Sequence, residues 1–210
     1  MTKKEINQRN KEKSKQRLID AVGHIIVKEG FKGIGINAIS KQAGLDKVLI
    51  YRYFDSLDGL LRAFARQKDF YINLSENKLS KIESAKKEDI KTLITDVLIG
   101  QFRELLHNAE LQEFMLWEML EKNELTIAIA KEREEKGFYL SNKIKEKMEL
   151  KESDLDIDAI VAVLVSGLYY IALRSRTIEI FNGVELNSKK GLIRIEKVTE
   201  SIINSLFTIK

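Results

Sequence analysis

The chain has 210 residues, of which 44% are hydrophobic and 32% are charged, which is enough apolar surface to build a globular core. The absence of Cys excludes a disulfide framework, a thiolate metal site and a cysteine nucleophile. Residues 1–68 carry 15 Lys and Arg against 7 Asp and Glu, whereas residues 69–210 carry 21 against 25, so a polyanionic partner is expected at the N-terminal end.

Helix-forming residues dominate, Pro is absent and strand-like alternation is scarce, so we predict an all-α fold. The N-terminal segment is charged and lacks the apolar stretch of a signal peptide. The longest apolar run, residues 159–165, is too short to span a membrane. We therefore expect a cytoplasmic protein with no membrane partner.

Apolar residues at helical spacing predict about nine helices. Gly30 is expected to end the first helix, Asp156 to cap the eighth, and Asn182 with Gly183 to stop it. The predicted helices span residues 10–28, two short segments within 36–54, then 57–81, 90–106, 110–121, 125–148, 157–181 and 191–209.

Residues 36–54 have the pattern of a helix-turn-helix. Ile39 and Ala43 fall at helical spacing, Gly44 interrupts the pattern, and Ile50 resumes it. Gly adopts the positive φ that a sharp turn requires. Asp46 follows the turn and can cap the second helix. Because the second helix of such a motif enters the major groove, the pattern predicts binding to double-stranded DNA.

The segment of residues 17–61 resembles the DNA-binding domain of the TetR/AcrR family of bacterial transcriptional regulators. The matching positions are Ala21, Gly30, Phe31, Ile39, Ala43, Gly44, Leu45, Ile50, Tyr51, Tyr53, Phe54 and Leu60. The resemblance implies a three-helix DNA-binding domain with a basic N-terminal arm in residues 1–57. It also implies a larger helical ligand-binding and dimerisation domain in residues 58–210. We therefore expect a regulator, not an enzyme, with no cofactor.

Several positions depart from the family pattern in ways that remove polar or positive contacts to the DNA backbone. Ile34 and Gly35 stand where Thr or Ser is usual, Ser40 replaces Ala, Asp46 replaces Ser, Val48 and Leu49 replace a small or hydroxyl-bearing pair, and Leu57 replaces Lys. Phosphate anchoring is therefore expected to depend more on the N-terminal arm and on Tyr51, Arg52 and Tyr53. Val48 and Leu49 are expected to contact thymine methyl groups. The predicted DNA-binding residues are Lys15, Arg17, Gly35, Lys47, Val48, Leu49, Tyr51, Arg52 and Tyr53.

The last two predicted helices carry more apolar surface than one core contact requires. The eighth is apolar on two sides, and a helix of this kind must bury both. The resemblance implies that these two helices pack against their copies as a four-helix bundle in a homodimer, which would recognise a palindromic operator. The predicted dimer-interface residues are Ile160, Val161, Leu164, Leu168, Ile195, Val198, Ile202 and Leu206. Packing within one chain is the alternative for some of them.

In the TetR/AcrR family an inducer usually binds among the middle helices. Aromatic side chains with a few polar groups suit a small, partly apolar inducer. The candidate ligand-binding residues are Phe102, His107, Phe114, Trp117, Glu118, Tyr139, Tyr169, Tyr170 and Arg174. Aromatic residues at helical spacing belong to an ordinary core more often than to a ligand site, and that alternative stays open for each of them.

Two other function classes remain as alternatives to a ligand-responsive repressor. Glu104 and His107 have the spacing of a di-iron ligand pair in a carboxylate-bundle metalloenzyme, but His24 is the only other His and has no matching carboxylate. A helical protein-interaction adaptor would be expected to show sequence repeats, and the chain has none. We therefore predict no metal site and no catalytic residues.

Overall fold

A computed structural model describes residues 3–68, 83–149 and 156–206, with side chains from residue 8 onwards. In these ranges the chain forms nine α-helices and one two-stranded hairpin. The helices are α1 Lys3–Glu29, α2 Ile36–Ala43, α3 Val48–Phe54, α4 Leu57–Lys68, α5 Ile90–His107, α6 Ala109–Leu120, α7 Glu124–Met148, α8 Ile157–Arg174 and α9 Lys189–Leu206. Short 3-10 turns lie at Phe31–Gly33 and Lys87–Asp89, and the hairpin strands are β1 Ile180–Phe181 and β2 Val184–Glu185. The predicted all-α fold with an N-terminal helix-turn-helix is confirmed.

The chain divides into two compact units. The first contains residues 1–73 and 109–133, and the second contains residues 74–108 and 134–210. The first unit therefore combines the helix-turn-helix with α6 and the start of α7. A functional boundary at residue 57 stays a prediction, since compactness alone does not define which residues bind DNA.

The core of the first unit is built where α1 packs against α2, α4 and α6. Every helix of the unit contributes buried apolar side chains to this core, because each presents an apolar stripe at helical spacing. The fully buried side chains of this core include Leu18, Val22, Ile26, Ile39, Ile50, Leu60, Phe64 and Phe114. This packing holds the small helices α2 and α3, which are too short to be stable in isolation.

The predicted start of the first helix is wrong. Helix α1 begins at Lys3, whereas the sequence pattern placed its start near residue 10. The segment between them contains Lys, Glu, Asn, Gln and Arg but no Gly or Pro, so nothing in it interrupts a helix once one forms. The basic segment is therefore not an extended arm but the first turns of α1.

The predicted end of the eighth helix is also wrong. Helix α8 ends at Arg174, and the chain then forms a hairpin in which Ile180 pairs with Glu185 and Phe181 with Val184. Asn182 and Gly183 have φ angles of 47° and 75°, which are the positive values of a tight hairpin turn. Their turn signal was correct, but it closes a hairpin instead of stopping a helix.

In the second unit α5 packs against both α8 and α9. The carboxylate of Asp156 accepts a hydrogen bond from the Ala159 N–H at 3.0 Å, which confirms its predicted role as the cap of α8. The guanidinium of Arg103 donates two hydrogen bonds to Glu196, at 2.6 and 2.8 Å, and joins α5 to α9. The predicted helix 57–81 is observed as far as Lys68, and its remaining part lies outside the described residues.

From the length of the apolar runs we expect no membrane-spanning segment, but helix α8 as a whole is long and apolar enough to span one. By length and composition alone it could cross a membrane, and it is the one such helix in the described ranges. An apolar helix of a soluble protein meets the same criterion when both of its sides are covered. The hydropathy of α8 is therefore weak evidence for a membrane span.

Candidate functional site

A glycine turn sets the junction between α2 and α3. Gly44 has φ 60° and ψ 40°, the left-handed conformation that glycine adopts without strain. Its N–H donates to the Lys41 carbonyl, and the Leu45 N–H donates to the Ser40 carbonyl at 3.1 Å. These bonds satisfy the last carbonyl groups of α2, as in a glycine C-cap. The turn predicted from the sequence is thus a hydrogen-bonded helix end.

The carboxylate of Asp46 lies at the start of α3. Its Oδ1 accepts a hydrogen bond from the Val48 N–H at 2.8 Å. The residue at the cap position itself is Lys47, one residue later than predicted. Because Asp46 is bonded to the backbone of α3, its negative charge is partly satisfied by the N-terminus of that helix.

The exposed face of α3 carries Lys47, Val48, Tyr51 and Arg52. Val48 is 52% exposed and Tyr51 is 50% exposed, whereas Ile50 between them is fully buried. A buried Ile fixes the rotation of the helix, so these four side chains point away from the core. An exposed face that combines two cations, a phenol and an aliphatic group offers hydrogen bonds and apolar contacts to base edges and phosphates.

Three other predicted DNA-binding residues are less accessible. Leu49 and Tyr53 are half-buried and pack against the core of the first unit. Gly35 precedes α2 in an extended conformation, and its carbonyl accepts a hydrogen bond from the Ile39 N–H at 2.9 Å. The ammonium group of Lys11 lies 5.9 Å from the centre of the Tyr53 ring, a cation–π contact that the sequence did not indicate.

Arg17 is held against the helix-turn-helix. Its guanidinium donates to the Ala43 carbonyl at 2.6 Å, beside the Gly44 turn. This charge-assisted bond stabilises the C-terminal end of α2 from α1. Lys15 lies near Glu12, with Nζ and Oε1 3.4 Å apart. Arg17 therefore has a role in fixing the turn, which spacing along the sequence could not reveal.

The candidate ligand residues are divided between the two units. Phe114, Trp117 and Glu118 belong to the first unit. Phe114 is fully buried, with its ring centre 5.9 Å from that of Phe64 and 6.1 Å from that of Phe31. Trp117 stacks on Phe31 at 3.7 Å with the rings nearly parallel. Both aromatic side chains therefore pack in or against the core of the first unit.

Glu118 forms a buried ion pair with Arg133. Its two carboxylate oxygens each accept a hydrogen bond from the guanidinium at 2.7 Å. Both side chains are only 10% exposed, so the pair joins α6 to α7 away from solvent. Bidentate geometry of this kind satisfies a carboxylate that is removed from water. Both oxygens of Glu118 are thus already engaged within the protein.

The remaining candidate ligand residues lie in the second unit and differ in exposure. Phe102 is buried in α5, whereas His107 is exposed at its end. Tyr139 donates a hydrogen bond to Glu83, which raises the pKa of the phenol. Tyr169 is half-buried, and Tyr170 is exposed with its ring edge-on to Phe181 at 5.5 Å. Arg174 is exposed and hydrogen-bonds Thr177 at 3.2 Å.

Helices α8 and α9 present apolar side chains to solvent in the single chain. Leu168 is buried, and the half-buried predicted interface residues are Ile160, Val161, Leu164, Ile195 and Leu206. Val198 and Ile202 are exposed on α9. On α8 Val163 is 71% exposed, and Gly167 and Tyr170 lie on the same side at helical spacing. The predicted interface residues therefore range from buried to exposed in the single chain, and their role in a dimer stays a prediction.

Glu104, one of the two residues considered as metal ligands, makes a hydrogen bond at the end of its helix. Glu104 accepts a hydrogen bond from the Asn108 amide at 3.0 Å at the end of α5. Among the residues that the structure describes, no three His, Cys, Asp or Glu side chains lie close enough to hold a metal ion.

The sequence around this site is similar to sequences of bacterial regulatory proteins. Residues 13–64 match the family model of the bacterial regulatory proteins of the tetR family. An uncharacterised helix-turn-helix transcriptional regulator of Mycobacterium tuberculosis is 32% identical over 63 residues, which are 30% of this chain. The match covers 31% of that relative's own length. The family-model match covers the segment that contains α2 and α3.

Solved structures extend the likeness over nearly the whole fold. The transcriptional regulator FadR from Bacillus subtilis, solved in complex with stearoyl-CoA, has a TM-score of 0.67 at 18% identity. The comparison covers 90% of this chain and 96% of FadR. The fatty acid degradation regulator FadR from Bacillus halodurans also has a TM-score of 0.67, at 17% identity, with 93% of this chain and 99% of that one covered. At these identities the similarity concerns the fold alone.

Proposed function

The chain belongs to the TetR family of bacterial regulatory proteins, and on that premise we propose that it is a ligand-responsive transcriptional regulator. It binds double-stranded DNA through the exposed face of α3. It acts in the cytoplasm as a homodimeric repressor on a palindromic operator, and a small, partly apolar inducer releases it. No enzymatic step is part of this function.

The exposed face of α3 is the observation that carries the proposal. Lys47, Val48, Tyr51 and Arg52 are exposed on a helix whose other side is fixed in the core. The Gly44 turn and the Arg17 hydrogen bond hold α3 relative to α2, as a recognition helix requires. A rigid helix positions side chains for base contacts better than a loop does.

The first turns of α1 supply the second part of the proposed DNA contact. Arg9, Lys11 and Lys13 are exposed there, and α1 also carries Lys15 and Arg17. Cations contribute to binding by neutralising phosphates and releasing counterions, which makes affinity depend on salt. Since the basic segment is helical, we propose that it lies along the DNA backbone as a helix face and not as a flexible arm.

Substitutions on these two surfaces are expected to have different effects. Lys47→Ala and Tyr51→Phe should each weaken binding to the DNA upstream of its own gene by about 3–10-fold, because each removes a side-chain hydrogen bond. Changing Lys11 and Lys13 to Gln should reduce the slope of log affinity against log salt by about 1 for each phosphate that is no longer neutralised. Fluorescence anisotropy at several stated salt concentrations measures both quantities.

A matched control for the salt series is Lys131→Gln, since Lys131 is exposed on α7, outside the proposed DNA surface. The control should leave affinity and slope unchanged. An unchanged slope in the double Lys→Gln variant would show that α1 makes no phosphate contact. Loss of binding in the Lys131 variant would show that general charge, not the proposed surface, governs affinity.

The exposed apolar face of α8 and α9 supports the proposed homodimer. Val163, Gly167 and Tyr170 on α8, with Val198 and Ile202 on α9, leave apolar area in water in the single chain. Gly167 has no neighbouring atoms within 4 Å of a Cβ built on it, so the backbone is open to close approach by another helix. Large apolar patches on soluble proteins usually mark interfaces.

Val163→Glu tests the dimer. A carboxylate buried without a partner opposes association, so we expect dimerisation to weaken by about 100-fold or more. Val27→Glu is the matched control, because Val27 is also an exposed valine but lies on α1 in the first unit. Sedimentation analysis should give a monomer for Val163→Glu and an unchanged dimer for the control. Equal dimerisation of the two variants would exclude this face.

The inducer part of the proposal draws support from the structural neighbours. FadR from Bacillus subtilis was solved with stearoyl-CoA, a ligand with a long apolar chain, and its fold is similar to that of this chain. We propose that residues 58–210 contain the inducer site and the dimer interface. We propose that the inducer binds more tightly to a form of the dimer in which the two DNA-binding domains do not fit two successive major grooves. The difference between its binding free energies for this form and for the DNA-binding form shifts the equilibrium between them, typically by about 1–3 kcal/mol.

A further inference from the structure

A polar side chain lies at the centre of the buried face of α5. Gln101 is 2% exposed. Leu98 and Leu105 lie three residues before it and four after it, and both are buried. Residues at these spacings share one face of a helix. Gln101 therefore stands in the apolar stripe of a helix that packs against α8 and α9.

The amide of Gln101 has no partner. Neither its Nε2 nor its Oε1 makes a hydrogen bond within the described part of the chain. Burying an amide without partners is unfavourable, because the hydrogen bonds it made to water are lost and not replaced. Native proteins contain few such groups, and each one calls for an explanation. An apolar residue would fill the same position on α5 without this cost.

The other buried polar side chains of the second unit behave differently. Thr95, Ser175 and Thr199 donate to backbone carbonyls of their own helices, and Ser141 donates to Asp158. All of these groups are uncharged. In the described part of the second unit, Gln101 is thus the one buried side chain whose polar atoms make no hydrogen bond, and no side chain buried there carries a charge.

We infer that Gln101 is the polar anchor of the inducer site. A glutamine amide donates and accepts at the same time, so it is satisfied by a group that also does both. A charged ligand group would meet no buried counter-ion among the described residues of the second unit, and burying a charge in this way is strongly unfavourable. The inducer is therefore an apolar molecule that carries one uncharged donor-acceptor group, such as a carboxamide or a hydroxyl. This inference rests on the proposed ligand-responsive function and specifies the ligand's chemistry.

The first test needs no ligand. Gln101→Met keeps the length of the side chain and removes the unpaired amide, so we expect the midpoint of thermal unfolding to rise by about 3–8 °C. Gln112→Met is the matched control, since Gln112 is also buried but has an interaction partner. The control should lower the midpoint. A fall of similar size in both variants would show that Gln101 is an ordinary structural residue.

The second test uses four probes of equal chain length at equal concentration: decanamide, 1-decanol, decanoate and decane. We expect decanamide and decanol to raise the unfolding midpoint of the native chain more than decanoate and decane do. Calorimetric titration should show decanamide affinity reduced by about 5–10-fold in Gln101→Met and unchanged in Gln112→Met. Equal affinity in all three proteins would overturn the inference, and so would preference for decanoate or no response to any probe.

Binding to the upstream DNA, measured without any probe, tests the regulatory function separately from the ligand site at Gln101. DNA binding with no response to the four probes overturns the assignment of Gln101 but leaves the regulatory function standing. A probe response that depends on Gln101 in a chain that does not bind DNA supports the ligand site and overturns the regulatory function.

Discussion

Replacing Glu118 by Leu is expected to lower the free energy of unfolding by about 3–5 kcal/mol, because it breaks a buried bidentate ion pair by removing one of its two members. Both side chains are 10% exposed, and the guanidinium donates two hydrogen bonds of 2.7 Å to this carboxylate. Few other single changes should be as destabilising. Urea unfolding followed by circular dichroism measures the difference.

A double variant separates the cost of breaking the pair from the value of the intact pair. Glu118→Leu with Arg133→Met removes both charges and should recover most of the lost stability, since apolar residues of similar volume often replace a buried pair well. The pair of Arg66 and Glu132 provides the control: Arg66 is well exposed, so Arg66→Leu should cost less than about 1 kcal/mol. Equal effects of Glu118→Leu and Arg66→Leu would mean that the buried pair is solvated.

Phe114→Ala is expected to reduce the free energy of unfolding by a similar amount, about 3–5 kcal/mol, because it opens a cavity in the core of the first unit. The Phe114 ring is fully buried and contacts Phe31, Phe64 and Trp117. Met119→Ala is the control on the same helix, since Met119 is 61% exposed and should change stability by less than about 0.5 kcal/mol. Thermal and urea unfolding of the two variants give the comparison.

The same variant bears on the ligand assignment made from the sequence. If Phe114 is a core residue, its truncation reduces stability without ligand present and loosens the packing of α6 against α1 and α4. If it lines a ligand site instead, truncation leaves the stability of the ligand-free chain nearly unchanged and alters only the response to apolar probes. A change below about 1 kcal/mol in the absence of probes would contradict the core assignment.

The helix-turn-helix was predictable because several local signals agreed. Gly44 requires a left-handed turn, Ile39 and Ile50 mark the buried sides, and Asp46 offers a carboxylate to the next helix. Each of these signals acts over a few residues, so it is visible in the sequence. Helical geometry then indicates the exposed positions Lys47, Val48, Tyr51 and Arg52, but it does not reveal that Leu49 and Tyr53 are half-buried.

Other features depended on contacts between distant residues and could not be predicted in this way. The pattern that marked Phe114 and Trp117 as ligand candidates is the same for a core, and their packing against Phe31 and Phe64 is visible only in the structure. The partner of Glu118 lies 15 residues away on another helix. Asn182 and Gly183 signal a turn without specifying whether a helix or a strand precedes it.

The stack of Trp117 on Phe31 has a practical consequence, because Trp117 is the only tryptophan in the chain. Its indole is packed 3.7 Å from a ring in the short turn between α1 and α2. Tryptophan emission therefore monitors the first unit alone, without any introduced label. Circular dichroism records the helices of both units. Comparing the two signals therefore reveals whether the first unit, which contains the helix-turn-helix, unfolds independently of the second.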